Sequence, residues 1–221
     1  MRHNPSAIKW MKEATAQYHQ YVELAHTYLA GRDLWDEAIL DTFRLGVVVN
    51  PRPEHRHFEG RLSIPYLTPS GTVGLNFRCI LEHECRDEGK DHKKYLKPTA
   101  SEDRLYNVQA LHQAEDILYI AEGELDTITA HVVGFPTVGI GGASKYEDHY
   151  TKLFEDFQEV IVLADGDSAG EQFASRILHE NENARVVYMP DGEDVNSIIV
   201  KHGDERLRRI IASATISEWE G

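Results

Sequence analysis

Three acidic clusters, each following a short apolar run, hold the side chains best suited to chemistry: Glu122-Gly123-Glu124-Leu125-Asp126, Asp165-Gly166-Asp167 and Asp191-Gly192-Glu193-Asp194-Val195-Asn196. Grouped carboxylates repel one another unless cations hold them, and hard divalent ions such as Mg²⁺ take oxygen ligands. Each acid alone has a plainer reading. Asp126 suits the first turn of a helix, and Asp191 suits a turn after Pro190. Their joint placement after strands is what points to a metal site.

The elements that must position these acids follow from the apolar rhythm. From about residue 112, Ile117–Ala121, Thr137–Ile140, Val160–Ala164 and Arg185–Met189 read as strands. They alternate with helices over 125–133, 147–157, 169–180 and 196–201, which predicts a four-stranded parallel sheet of the α/β class flanked by helices. Ligands of such sheets sit beyond the carboxyl ends of the strands. Glu122, Asp165, Asp167 and Asp194 all fall there, on three different strand-to-helix connections. Gly166 keeps the Asp165–Asp167 turn tight, and the glycines at 139, 141 and 142 offer unshielded N–H groups to a phosphate.

The first half is of another kind. Apolar residues three or four apart from Ile8 to Leu29 predict one long amphipathic helix stopped by Gly31. Asp33 is then placed to cap a second helix running to Phe43 and ended by Gly46. Val47–Val49, Leu62–Leu67, Val73–Ile80 and Tyr95–Leu96 read as strands of a small mixed α+β region, and Glu82–Lys93 as a polar loop. The expected division is 1–111, 112–204 and a helical tail over 205–221.

Charge is uneven. Residues 44–104 carry 11 basic and 9 acidic side chains, whereas residues 105–221 carry 8 and 22, leaving a net charge of −14. A basic-leaning segment beside an acidic, metal-suited one fits an enzyme of polyanions, and a solvated acidic surface fits equally. No run of about 18 apolar residues is present, so no membrane span is expected. Two cysteines and no apolar leader make the cytoplasm the default location. Cys79-x₃-His83-x-Cys85, with His92 nearby, offers zinc donors, but the spacing matches no common structural site and no zinc is expected.

The motifs Glu122-Gly-x-x-Asp126, Asp165-Gly-Asp167-x-Ala169-Gly170 and Asp194-x-Asn196 resemble those of the Toprim domain. The upstream residues narrow the likeness. Tyr28-Leu29-Ala30-Gly31-Arg32-Asp33-Leu34 and Phe43-Arg44-Leu45-Gly46 resemble the helical entry to the RNA-polymerising core of DnaG-type primases. Gly60-Arg61-Leu62-x-Ile64-Pro65, Gly71-x-Val73-Gly74-Leu75-x-Phe77-Arg78 and Lys94-Tyr95-Leu96 resemble its basic subdomain, and Leu105-Tyr106-Asn107 its junction.

The resemblance implies a Toprim fold and a primase that makes short RNA primers on single-stranded DNA from ribonucleoside triphosphates. Mg²⁺ or Mn²⁺ would be held by Asp126, Asp165, Asp167, Asp194 and Glu122, with Asp191 in support and Glu122 alternatively orienting or deprotonating the attacking hydroxyl. Arg61, Arg78, Lys94 and Gly141 would meet triphosphate or template. The family's zinc module and helicase-docking domain have no counterpart in these motifs. A minimal, phage-like primase is therefore expected, with a replicative helicase or a separate zinc-module protein as partner. A Toprim nuclease and a non-catalytic nucleic-acid adaptor are the competing readings.

Overall fold

In the computed structural model, which describes residues 5–82, 85, 92–99 and 101–216, the chain divides into two units, Met1–Glu102 and Asp103–Gly221. The first holds helices α1 (Pro5–His19), α2 (His26–Ala30) and α3 (Glu37–Phe43) and strands β1 (Gly46–Val47), β2 (Leu62–Thr68), β3 (Gly71–Arg78) and β4 (Tyr95–Leu96). The strands form an antiparallel sheet in sequence order. β1 reaches only Leu62 and Ser63 of β2. Pro65 therefore sits where that side of β2 has no ladder partner, the position that tolerates a residue without an N–H.

Ala14 and Tyr18 of α1 close the core of this unit against Leu75 and Phe77 of β3, with Phe58 stacked on Phe77 at 4.0 Å between ring centres. The Tyr18 hydroxyl meets His55 Nδ1 at 2.9 Å, and burial holds the His55 imidazole down to about 4.

The long N-terminal helix predicted from periodicity is broken. It ends at His19, and a 3₁₀ turn at Val22–Ala25 leads into α2. Close packing sets the break: β1 approaches so nearly that a Cβ on Gly46 would lie 2.4 Å from the Tyr18 carbonyl oxygen, and His19 Nδ1 meets the Leu45 carbonyl at 2.7 Å. The cap of the next helix is Asp36, not Asp33. Asp36 accepts from the N–H groups of Ala38 and Ile39, while Asp33 adopts a left-handed conformation (φ +53). That helix ends on left-handed Arg44 rather than on Gly46. The polar stretch Glu82–Lys93 lies largely outside the described residues.

The second unit is built on β5 (Ile117–Ala121), β6 (Thr137–Gly139), β7 (Glu159–Ala164) and β8 (Ala184–Tyr188), all parallel in the order β6-β5-β7-β8. Side chains alternate across this sheet. Leu118, Ile120, Val160 and Val162 pack on α4 (Ala110–Gln113), α6 (Thr151–Phe154) and α7 (Ser168–Glu180). Tyr119, Ile161 and Leu163 pack on α5 (Glu124–Val132), α8 (Val195–His202) and α9 (Asp204–Ile216). Both faces are covered, which is why these strands read as continuous apolar runs.

The helix expected over 147–157 shrinks to a 3₁₀ turn and the four residues of α6. In the C-terminal stretch, α9 packs Leu207 and Ile211 into the same core as Tyr119 and Val187. Tyr106 bridges to Gly139 through paired backbone hydrogen bonds of 2.8 and 3.1 Å, within the second unit.

Candidate functional site

The register decides where the acids emerge. Ala121 pairs with Leu163, so β5 and β7 end side by side and release Glu122 and Asp165 at one edge. β8 ends beside β7, and residues 189–194 turn from it into α8. Each acid is then fixed locally. Asp167 caps α7, its Oδ1 accepting from the N–H groups of Ala169 and Gly170 at 2.9 Å each. Asp194 caps α8 through the Ser197 N–H at 2.6 Å, and its own N–H donates to Ser197 Oγ at 2.9 Å. Asp126, in the first turn of α5, accepts from the Asn196 N–H at 3.0 Å and so ties two helix starts together.

Backbone contacts lace the two neighbouring loops. The Gly166 N–H donates to the Glu193 carbonyl, and the Gly192 N–H donates to the Gly166 carbonyl, both at 2.8 Å. A Cβ on Gly166 would lie 1.9 Å from the Pro190 carbonyl oxygen, and one on Gly170 would lie 2.2 Å from that of Asp165. Glycine is needed at 166 for close approach, because its φ is not in the left-handed range.

The electrostatics report the convergence directly. Burial and the charges of Asp126, Asp194, Glu122 and Asp167 push the Asp165 carboxyl up to about 8. Burial, and then Asp167, also raises Glu122. Every charge acting on Asp165 is another carboxylate, so the cluster carries uncompensated negative charge. An all-oxygen donor set in that condition fits a hard divalent cation. The fit is loose, not preformed. Among the described residues, the only three candidate ligand atoms found mutually within 4.8 Å belong to Cys79, Cys85 and His92, not to the acids. Mutual repulsion opposes a tighter gathering of bare carboxylates.

The other residues singled out from the sequence fall as follows. Asp191 is exposed on its turn and is not among the groups acting on Asp165. Gly141 is exposed in the loop after β6, next to Gly142, whose φ of +101 is left-handed; a Cβ there would lie 3.3 Å from Glu122 Oε1. Arg61, Arg78 and Lys94 belong to the first unit. Lys94 is exposed, and Arg61 Nη1 donates to the Lys93 carbonyl at 2.8 Å. Arg78 is buried. It donates to the Tyr95 hydroxyl and lies over the Tyr95 and Tyr28 rings, 4.7 and 5.6 Å from their centres.

Two features were not read from the sequence. Glu124 belongs to the first acidic cluster but is buried and acts on the Tyr106 hydroxyl, not on Asp165. Asn196 is buried, its amide donating to Thr129 Oγ1 at 2.9 Å, which locks the backbone that holds Asp126. The Asp194-x-Asn196 spacing was visible, but a bond to a residue 70 positions away was not.

Parallel strands that deliver carboxylates from three connections to one edge define a Toprim-type domain, and a family model described as Toprim-like matches residues 119–199. The chain is 39% identical over 150 residues to the Gene 57 protein of Mycobacterium phage D29, which covers 68% of this chain and 97% of that one. It is 25% identical over 197 residues to the DNA primase of Pseudomonas aeruginosa, covering 82% of this chain and 29% of the primase, so it spans under a third of that protein's length. A solved DnaG primase catalytic domain bound to single-stranded DNA has the same fold, with a TM-score of 0.72, 22% identity, and coverage of 93% of this chain and 80% of that one. The chain belongs to the same family as that phage Gene 57 protein, carries a Toprim-like domain over residues 119–199, and has the fold of DnaG primase catalytic cores.

Proposed function

We propose that this protein is a DNA primase that makes short RNA primers on single-stranded DNA by divalent-metal-dependent nucleotidyl transfer. The carrying observation is the set of four carboxylates acting on Asp165 at the edge of the parallel sheet. Kinship with DNA primases, and the single-stranded DNA bound by a structural neighbour, support the choice of template.

In this reading Asp126, Asp165, Asp167, Asp194 and Glu122 are the side chains that would hold Mg²⁺ or Mn²⁺. The ion supplies positive charge against the charge that builds on the phosphate under attack. The chain's own residues do the rest. Capping and backbone bonds hold Asp167, Asp194 and Asp126 in place before substrate arrives, so little reorganisation is needed. Glu122 has the raised affinity for a proton that suits a group orienting or deprotonating a ribose 3′-hydroxyl. The exposed Gly141 leaves backbone open to phosphate. Arg61 and Lys94 supply cationic contacts to nucleic-acid or triphosphate oxygens, and Arg78 orders Tyr95 beside them. The helicase partner belongs to the same proposal.

The test is incubation with single-stranded DNA, labelled ribonucleoside triphosphates and Mg²⁺ or Mn²⁺. Labelled oligoribonucleotides made by the native protein and lost in Asp165→Ala are the expected result. Shortened DNA would make it a nuclease, and bound but unaltered DNA an adaptor.

A further inference from the structure

Outside the acidic rim, one cluster of ligand-type side chains has no role in primer synthesis. Cys79 Sγ, Cys85 Sγ and a His92 ring nitrogen all lie within 4.8 Å of one another, and His92 Nε2 is 3.3 Å from Cys79 Sγ. We propose that Cys79, Cys85 and His92 form a structural zinc site in the first unit, chemically separate from the carboxylate site.

The dimensions fit. Zn–S and Zn–N bonds of about 2.3 and 2.0 Å in a tetrahedron put neighbouring ligand atoms about 3.5–3.8 Å apart, inside the 4.8 Å that bounds the three donors. The donor types also fit. Two thiolates and an imidazole select zinc over Mg²⁺ or Ca²⁺, which take oxygen. Two thiolates balance the ion's charge. Water fills the fourth corner.

The backbone brings two of the three donors together without the ion. Cys79 directly follows β3, and its N–H donates to the Lys94 carbonyl at 2.8 Å, continuing the ladder in which Arg78 faces Tyr95. Arg61 donates to the Lys93 carbonyl at 2.8 Å. Cys79 and the segment carrying His92 are therefore clasped side by side, and a metal there would staple the polar connection between β3 and β4. The donors fit no local Cys-x₂-Cys register, because Cys79 and His92 come together beside the β3–β4 pair.

The test uses the full chain purified under reducing conditions without chelator. Elemental analysis should find about one zinc per chain, the content of a structural site. Replacing zinc with Co²⁺ should produce a thiolate-to-cobalt charge-transfer band, which a carboxylate site cannot give. Cys85→Ser and His92→Ala, both at partly exposed positions, should each weaken zinc binding at least about 10-fold, the loss that even an outer partner of a ligand causes. Their far-UV circular dichroism should stay native. Zinc at background after titration, cobalt without the thiolate band, a Cys79–Cys85 disulfide in its place, or zinc retained by both variants would overturn the assignment. None of these readouts depends on primer synthesis, so failure here and failure of the primase reading are told apart.

Discussion

Asp165 is the residue on which the chemistry turns. Its carboxyl is raised to about 8 by burial and by four neighbouring acids, against about 3.9 when unfolded. The protonated group therefore supports the fold fully below about pH 4, and that support is lost as pH rises through about 8. Without divalent ions, the melting temperature of the native protein should fall over this window more steeply than that of Asp165→Asn. A cation must displace the Asp165 proton, so its affinity should rise by up to about tenfold per pH unit below 8. Titration calorimetry at several pH values measures this, and Asp165→Asn should flatten the dependence.

A second residue prediction separates charge from structure. Asp194→Asn keeps a side chain that caps α8 as well as aspartate does, whereas Asp194→Ala removes the cap at about 0.5–2 kcal/mol. Both should weaken Mn²⁺ binding, but only the alanine variant should lose stability on urea denaturation.

Among the elements, the turn between β7 and α7 is the tightest join at the site. Gly166→Ala would drive a methyl into the Pro190 carbonyl, so it should cost about 1–3 kcal/mol on chemical denaturation and disturb Asp165 and Asp167 together. Gly192→Ala, with open space around it, should cost about 1 kcal/mol or less despite its positive φ. The parallel sheet was legible because strands buried on both faces are continuous apolar runs. The strand-end acids were legible because topology alone sends them to one edge. The break after His19 was not, since Gly46 causes it from 27 positions away. Neither was the inward turn of Glu124, because a helix's first turn sends successive residues to different sides. The thiol and imidazole donors were visible in the sequence, but their meeting was not, because Cys79 and His92 come together beside the β3–β4 pair rather than through a local spacing.

For the whole molecule, charge is divided between the two units. The acidic second unit suits cations, and the basic residues near Lys94 suit phosphates. Arg61→Ala and Lys94→Ala should each weaken single-stranded DNA binding and lower the slope of log affinity against log salt by about 0.7. Asp165→Asn should leave that slope unchanged. Among the described residues no helix is long and apolar enough to cross a membrane.

The most direct measurement is Mn²⁺ binding followed by electron paramagnetic resonance at pH 8, with the native protein beside Asp165→Asn and Asp194→Asn. Mn²⁺ favours oxygen donors, so the cysteine cluster does not compete. Saturable binding by the native chain, weakened at least about tenfold in both variants, is the predicted result. Equal affinity in all three proteins would mean that these carboxylates share an edge of the sheet without sharing an ion.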